Sequence, residues 1–171
     1  MEFKKVSYEQ YCKDINEEDN KIIRKQYKDI KLPERGTKYS AGYDFFSPID
    51  FTLNPGEVIK IPTGIQWNCK HELTLMAQMS PTFVLNLYPR SGLGFKYQLC
   101  LCNTVGIIDE DYCMSDNEGH IIVKLVNRGN ETISIEAGQG IVQGIINMFW
   151  ITDNDNAQGI RNGGFGSTDK K

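Results

Sequence analysis

Read by its apolar and polar positions, the chain divides into three stretches. In the first, Tyr8, Tyr11, Cys12 and Ile15 recur at helical spacing behind Ser7, whose offset to Gln10 fits a capping box. A polar, acidic run from Asn16 to Asn20 breaks that period. Ile22, Ile23 and Tyr27 then fit a second short helix or a strand. From Lys31 the period shortens, and Pro33, Gly36, Pro48, Asn54-Pro55-Gly56, Pro62 and Gly64 punctuate short apolar runs. Strands are predicted over Glu57–Ile61, Ile65–Cys69, Gln98–Cys102, Gly106–Ile108, Ile121–Val126 and Ile141–Ile151. Glu131–Ile135 alternates, with Ile133 and Ile135 on one face and Thr132 and Ser134 on the other. Glu72–Met79 and Phe83–Tyr88 flank Ser80-Pro81 as the arms of a hairpin. The third stretch, from Thr152, is rich in Asn, Asp and Gly and reads as a mobile arm.

Many short strands at this spacing predict an all-β sandwich or barrel. The expected organisation is a helical N-terminal extension over residues 1–30, a β domain over 31–151 and a flexible C-terminal arm over 152–171. A chain of 171 residues suffices for one such domain with its own core.

Charge narrows the choice of ligand. A net charge of -3 and a pI of about 5.4 leave no basic surplus for binding nucleic acid through counterion release. A small anion needs only a few placed arginines and backbone N–H groups. Five cysteines form no disulfide framework. The N-terminus lacks the apolar core of a signal peptide, and the longest apolar run, Gly140 to Ile151, is broken by Gln143, Gly144 and Asn147. These features predict a soluble cytoplasmic protein with reduced thiols and no membrane contact.

Candidate chemistry lies in the turns. Asp109 and Asp111 flank Glu110 and precede Tyr112; on a strand they would share a face, where two carboxylates are solvated, paired or near a metal, unless they merely form an acidic turn. Pro89-Arg-Ser-Gly-Leu-Gly is a glycine-rich turn able to cradle phosphate, and no helix is predicted after it. Taken alone, it is better explained as an ordinary loop with a surface arginine. Cys100, Cys102, Cys113 and His120 have no structural-zinc spacing and read as ordinary thiols and a lone histidine; His71 reads as a surface residue. Neither histidine stands in a nucleophile context. Arg161-Asn-Gly-Gly-Phe-Gly-Ser-Thr168 combines a charge, glycines, an aromatic ring and two hydroxyls, as a clamp for a phosphorylated ligand with a flat ring would.

Taken in order, Ala41-Gly-Tyr-Asp44, Pro89-Arg-Ser-Gly92, Asn103 to Tyr112, Gly140-Ile-Val-Gln143 and Arg161 to Thr168 resemble the five motifs of the trimeric dUTPases. The resemblance runs from about Leu32 to Thr168 and implies a jelly-roll-like β-clip fold and a homotrimer with active sites between subunits. It also implies Mg²⁺-dependent hydrolysis of dUTP to dUMP and pyrophosphate, which limits uracil in DNA and supplies dUMP for dTMP synthesis. In that likeness Asp109 activates the attacking water, Tyr112 packs on the deoxyribose and excludes a 2′-hydroxyl, and Asn103 with the Gly106–Ile108 backbone reads uracil. Arg90, Ser91 and Gly92 contact phosphate, while Asp44 and Gln143 surround the phosphates and the water shell of the metal. Phe165 stacks on the base, and Arg161, Gly166, Ser167 and Thr168 hold the terminal phosphate over a neighbour's site.

The chain departs from the pattern at several points. Cys113 stands where glycine is usual, Met114 to Gly119 reads as an insertion with Gly119 restoring the turn, and Gly140 and Asp169 replace an arginine and a glycine. The Glu72 to Phe83 hairpin is also longer than usual. Alternative functions are a dCTP deaminase-like enzyme, a dUTP-sensing regulator on the same fold, or a structural β-trimer. The first lacks the arginine it would need after Ser91, and the last leaves the Gly-Phe-Gly arm unexplained.

Overall fold

The computed structural model describes residues 1–15, 17–69 and 82–164. The hairpin expected around Ser80-Pro81, His71 and the arm residues Phe165 to Thr168 therefore lie outside the described residues, save for the Thr82–Pro89 strand.

The chain begins with a strand that its polar-apolar pattern did not predict, β1 (Glu2–Lys5). Helix α1 (Tyr8–Asp14) follows, and Ser7 caps it by accepting a hydrogen bond from the Gln10 N–H, half of the expected capping box. The other half is absent because the Gln10 amide turns to Asp14 instead. The ambiguous second segment is a helix, α2 (Asn20–Asp29), capped by Asp19. Then come β2 (Glu34–Arg35), β3 (Tyr43–Phe46), β4 (Phe51–Leu53), β5 (Val58–Pro62) and β6 (Ile65–Asn68). After them stand β7 (Thr82–Pro89), α3 (Ser91–Tyr97), β8 (Leu99–Leu101) and β9 (Gly106–Asp109). A short 3₁₀ turn, Glu110–Met114, leads to β10 (Ile122–Asn127), β11 (Ile133–Ile135) and β12 (Gly140–Phe149).

Every pairing among these strands is antiparallel. The largest sheet runs β2-β3-β12-β7-β9; a second runs β5-β10-β8, and β1-β6 and β11-β4 are two-stranded. These sheets face one another as in a jelly roll, and among the described residues they do not close into a barrel. Between them lies one apolar core that includes Phe45, Ile61, Trp67, Leu85, Leu87, Leu99, Val123, Leu125 and Ile141. The N-terminal segment belongs to that core. Val6, Tyr11, Ile23 and Ile30 are buried in it, and β1 sets Phe3 against Tyr43 and Phe45 with ring centroids 5.3 and 5.5 Å apart.

Helix α3 corrects the loop expected after Arg90. Two glycines in seven residues disfavour a helix locally. Leu93 and Tyr97, one turn apart, pack on the core and hold it, and Gln98 ends it in the left-handed conformation at φ 54°. Among the described residues no helix is long and apolar enough to cross a membrane. All five cysteines are unpaired thiols.

Candidate active site

The central feature is a cleft of about 710 Å³ between the β8–β9 turn, β10 and the 3₁₀ turn. The β8–β9 turn brings Asn103 to its rim. Thr104 takes φ 62°, and the Val105 N–H donates to the Asn103 carbonyl at 2.7 Å. Gly106 lies so close to β7 that an added Cβ would stand 3.1 Å from the Leu87 Cβ. That close approach lays the Gly106–Ile108 backbone along the cleft.

β9 ends at Asp109, and the chain turns at once into the 3₁₀ segment. The shared strand face expected for Asp109 and Asp111 therefore does not exist. Arg161 unites the two carboxylates instead, with its Nη2 donating to Asp109 and its Nε to Asp111 Oδ1 at 2.8 Å. The same guanidinium sits over the Tyr112 ring, 5.9 Å from its centroid. A fork of N–H donors matches two carboxylates, while the ring face favours the cation. Gly163 and Gly164 follow across the ring; an added Cβ at Gly164 would stand 2.9 Å from it. The start of the arm thus covers the site of its own chain.

Tyr112 forms the floor of the cleft. It is buried, and its hydroxyl donates to the His120 carbonyl at 3.0 Å and receives the Asn117 amide at 2.8 Å. Burial raises its pKa, with the Asn117 hydrogen bond opposing, so the phenol stays protonated near neutrality.

A second group stands on the five-stranded sheet. Asp44 on β3 faces Gln143 on β12, which faces Tyr88 on β7. Arg90 pairs with Asp44 at 3.0 Å, and the Gln143 amide donates to the Pro89 carbonyl at 3.1 Å. Gly140, where the family pattern carries arginine, makes room for Arg90: a Cβ there would stand 2.6 Å from its Nη1. Ser91 and Gly92 are exposed in the first turn of α3. This group is remote from Asp109. Asp109 pairs with Val84 on one side of β7 and Gln143 with Tyr88 on the other, an offset of four residues or about 13 Å along the strand at the usual ~3.3 Å rise.

Among the described residues no three His, Cys, Asp or Glu side chains converge into a metal cage. Asp44 and Gln143 nevertheless present hard oxygens side by side, with Gln143 Oε1 held against Gly42. That donor set fits a hydrated Mg²⁺ carried mainly by phosphate oxygens, and does not fit an ion held by the protein alone.

The sequence reading missed three residues at this cleft: Asp14, Asn117 and His120. Asp14 and Asn117 line the cleft, and His120 is buried, with its Nδ1 2.6 Å from Asp14 Oδ2. Only the turn-forming Gly119 gave a signal, because a contact between positions 14 and 120 has no local signature. The cysteines weighed with His120 as zinc ligands are partly buried thiols, while His120 itself is committed to Asp14 and Gly64.

A jelly-roll cleft with an exposed β8–β9 turn at its rim, a buried tyrosine floor and arginine-paired carboxylates is an arrangement able to hold a small anionic ligand with a flat ring. The dUTPase family model matches residues 28–168, and the chain belongs to that family. The deoxyuridine 5′-triphosphate nucleotidohydrolase of Lactococcus lactis is 40% identical over 142 residues, which cover 81% of this chain and 88% of the relative. That of Desulfitobacterium hafniense is 37% identical over 145 residues, 81% of this chain and 87% of the relative. Among solved structures, the Streptococcus mutans dUTPase aligns with a TM-score of 0.64 at 28% identity, covering 90% of this chain and all of that one. The dUTPase of Staphylococcus bacteriophage 80alpha with dUPNHPP aligns at 0.58 with 25% identity, covering 82% and 92%.

Proposed function

We propose that this chain hydrolyses dUTP to dUMP and pyrophosphate, with Asp109 aiming a water at the α-phosphorus. The observation that carries the reading is the placement of Asp109 and Arg161 beside the Tyr112 floor, within the five ordered motifs of the family. Arg161 pairs with both Asp109 and Asp111. A triphosphate offers that guanidinium a stronger partner, so substrate entry draws it away and frees Asp109 to accept a hydrogen bond from water. Asn103 and the Gly106–Ile108 backbone read the uracil edge, and a base with the wrong donor pattern leaves their polar groups unpaired. Tyr112 fills the space a 2′-hydroxyl would need. Arg90, Ser91 and Gly92 meet the phosphates, with Asp44 and Gln143 around them. Mg²⁺ bound through the phosphates would spread their charge and align the leaving pyrophosphate. Phe165, Gly166, Ser167 and Thr168 close the arm on base and terminal phosphate.

The phosphate group and the Asp109 cleft lie apart within one chain, and this supports a homotrimer in which adjacent subunits complete each site. The extension over residues 1–30, the β domain over 31–151 and the arm over 152–171 are then working divisions of a cytoplasmic enzyme. Pyrophosphate release with dUTP and Mg²⁺ tests the reading. Turnover of dUTP, with little of UTP or dTTP and no ammonia from dCTP, is the expected result. Ammonia release from dCTP, or intact dUTP, would overturn it.

A further inference from the structure

We infer that Asp14, Asn117 and His120 are positioning residues that hold Tyr112 as the floor of the sugar pocket, which makes the N-terminal helix a working part of the active site. The inference rests on the reading of Tyr112 given above. Both partners of the Tyr112 hydroxyl, the Asn117 amide and the His120 carbonyl, belong to a single turn. That turn is closed by the His120 N–H donating to the Asn117 carbonyl at 3.0 Å. Its two central residues, Glu118 and Gly119, take φ 57° and 65°, the mirror-image geometry in which glycine is favoured. Gly119 admits no side chain, since a Cβ would lie 2.6 Å from the Cys113 Cα.

Two tethers fix the turn, and both run to α1. The Glu118 carboxylate receives the Ser7 N–H at 2.7 Å and the Ser7 hydroxyl at 2.6 Å. Asp14 Oδ2 meets His120 Nδ1 at 2.6 Å and is itself held by the Gln10 amide at 2.7 Å. The Gly64 N–H donates to His120 Nε2 at 2.8 Å, so the proton sits on Nδ1 and points at Asp14. Every polar atom of this fully buried imidazole is therefore engaged, and the ring cannot turn without breaking two bonds.

Excluding a 2′-hydroxyl is a steric discrimination, sensitive to sub-ångström movement of the floor in a way that uniform binding is not. Asp14 and Asn117 also line the cleft beside Tyr112. Residues 1–27 lie outside the matched family region, so part of the sugar selectivity of this chain comes from a segment the family match does not cover.

The test is the ratio of kcat/KM for dUTP to that for UTP in the full-length chain. Asp14→Ala and Asn117→Ala are expected to lower it about tenfold, the scale of one buried hydrogen bond, chiefly by raising turnover of UTP. Asp14→Asn, whose amide oxygen still accepts from His120, is expected to restore most of the ratio. Tyr27→Phe loosens the same segment by removing a 2.7 Å bond to the Val6 carbonyl and no hydrogen bond to Tyr112, Asn117 or His120, and is expected to leave the ratio alone. Proportional loss on both substrates in Asp14→Ala and Asn117→Ala would make the network merely structural and overturn the inference. If Asp14→Ala does not fold, the partly exposed Asn117 decides the matter. A parent that turns over neither nucleotide overturns the hydrolase reading and this inference with it. A parent that prefers dUTP, with variant ratios unmoved, overturns this inference alone.

Discussion

At the scale of single residues, the pairing of Arg161 with Asp109 and Asp111 is the local fact from which the chemistry follows. Asp109→Asn keeps the size and a hydrogen-bonding group but loses the charge that orients water. Turnover of dUTP is expected to fall by about 10²–10⁴, the usual contribution of a general base, without loss of secondary structure; pyrophosphate release and circular dichroism measure the two. His120 gives a pH dependence of stability. Burial lowers its pKa from the ordinary 6.5, more than the Asp14 hydrogen bond and charge raise it. The unfolded chain thus takes up the proton first as pH falls, and stability is lost as pH drops through the region of 6.5. The urea midpoint is expected to fall between pH 7.5 and 5.5, and to fall less in His120→Gln.

At the scale of elements, the arm and α1 both reach the cleft. The arm reaches it through Arg161 and the Gly163–Gly164 pair, and apart from Arg161 its described contacts are weak, as the 3.4 Å bond from Ser115 Oγ to the Gly163 carbonyl illustrates. Deleting residues 161–171 is therefore expected to leave folding and assembly unchanged while lowering turnover by about 10² or more, the scale of losing a preorganised charge. Size exclusion and pyrophosphate release check the two halves, and an unaffected rate would count against arm closure. Helix α1 differs because Tyr11 lies in the main core. The helical spacing of Tyr8, Tyr11, Cys12 and Ile15 was legible in sequence because an amphipathic helix carries its own period. β1 was not, since Glu2 to Lys5 is polar and becomes a strand only by pairing with β6. Helix α3 was missed for the same kind of reason, its stability coming from Leu93 and Tyr97 on the core rather than from local propensity.

At the scale of the whole molecule, the strand register parts the Asp44–Arg90–Gln143 group from Asp109 by about four residues of β7. If adjacent subunits complete each site, two inactive variants should rescue one another. Mixing Asp109→Asn with Arg90→Ala after unfolding and reassembly is expected to restore activity in about a quarter of sites, as random assortment of chains around a symmetric ring gives. No regain on mixing would place both groups in one chain's site. Gly140 belongs to this scale too, because the space its missing side chain leaves is occupied by Arg90 from the N-cap of α3.

The sequence by itself determined the β character of residues 31 to 151 and most strand positions from local pattern, and, through the order of its family-like motifs, pointed to Asp44, Arg90, Asn103, Asp109, Tyr112, Gln143 and Arg161. Each of those signals is periodic or motif-borne, so it survives in one dimension. Only the tertiary structure decided which of them meet. It put Arg161 on both carboxylates across fifty residues of chain, parted the phosphate group from the cleft, and joined Asp14 to His120 across more than a hundred. Such contacts depend on how strands register and how a core excludes water, and no run of neighbouring residues encodes either.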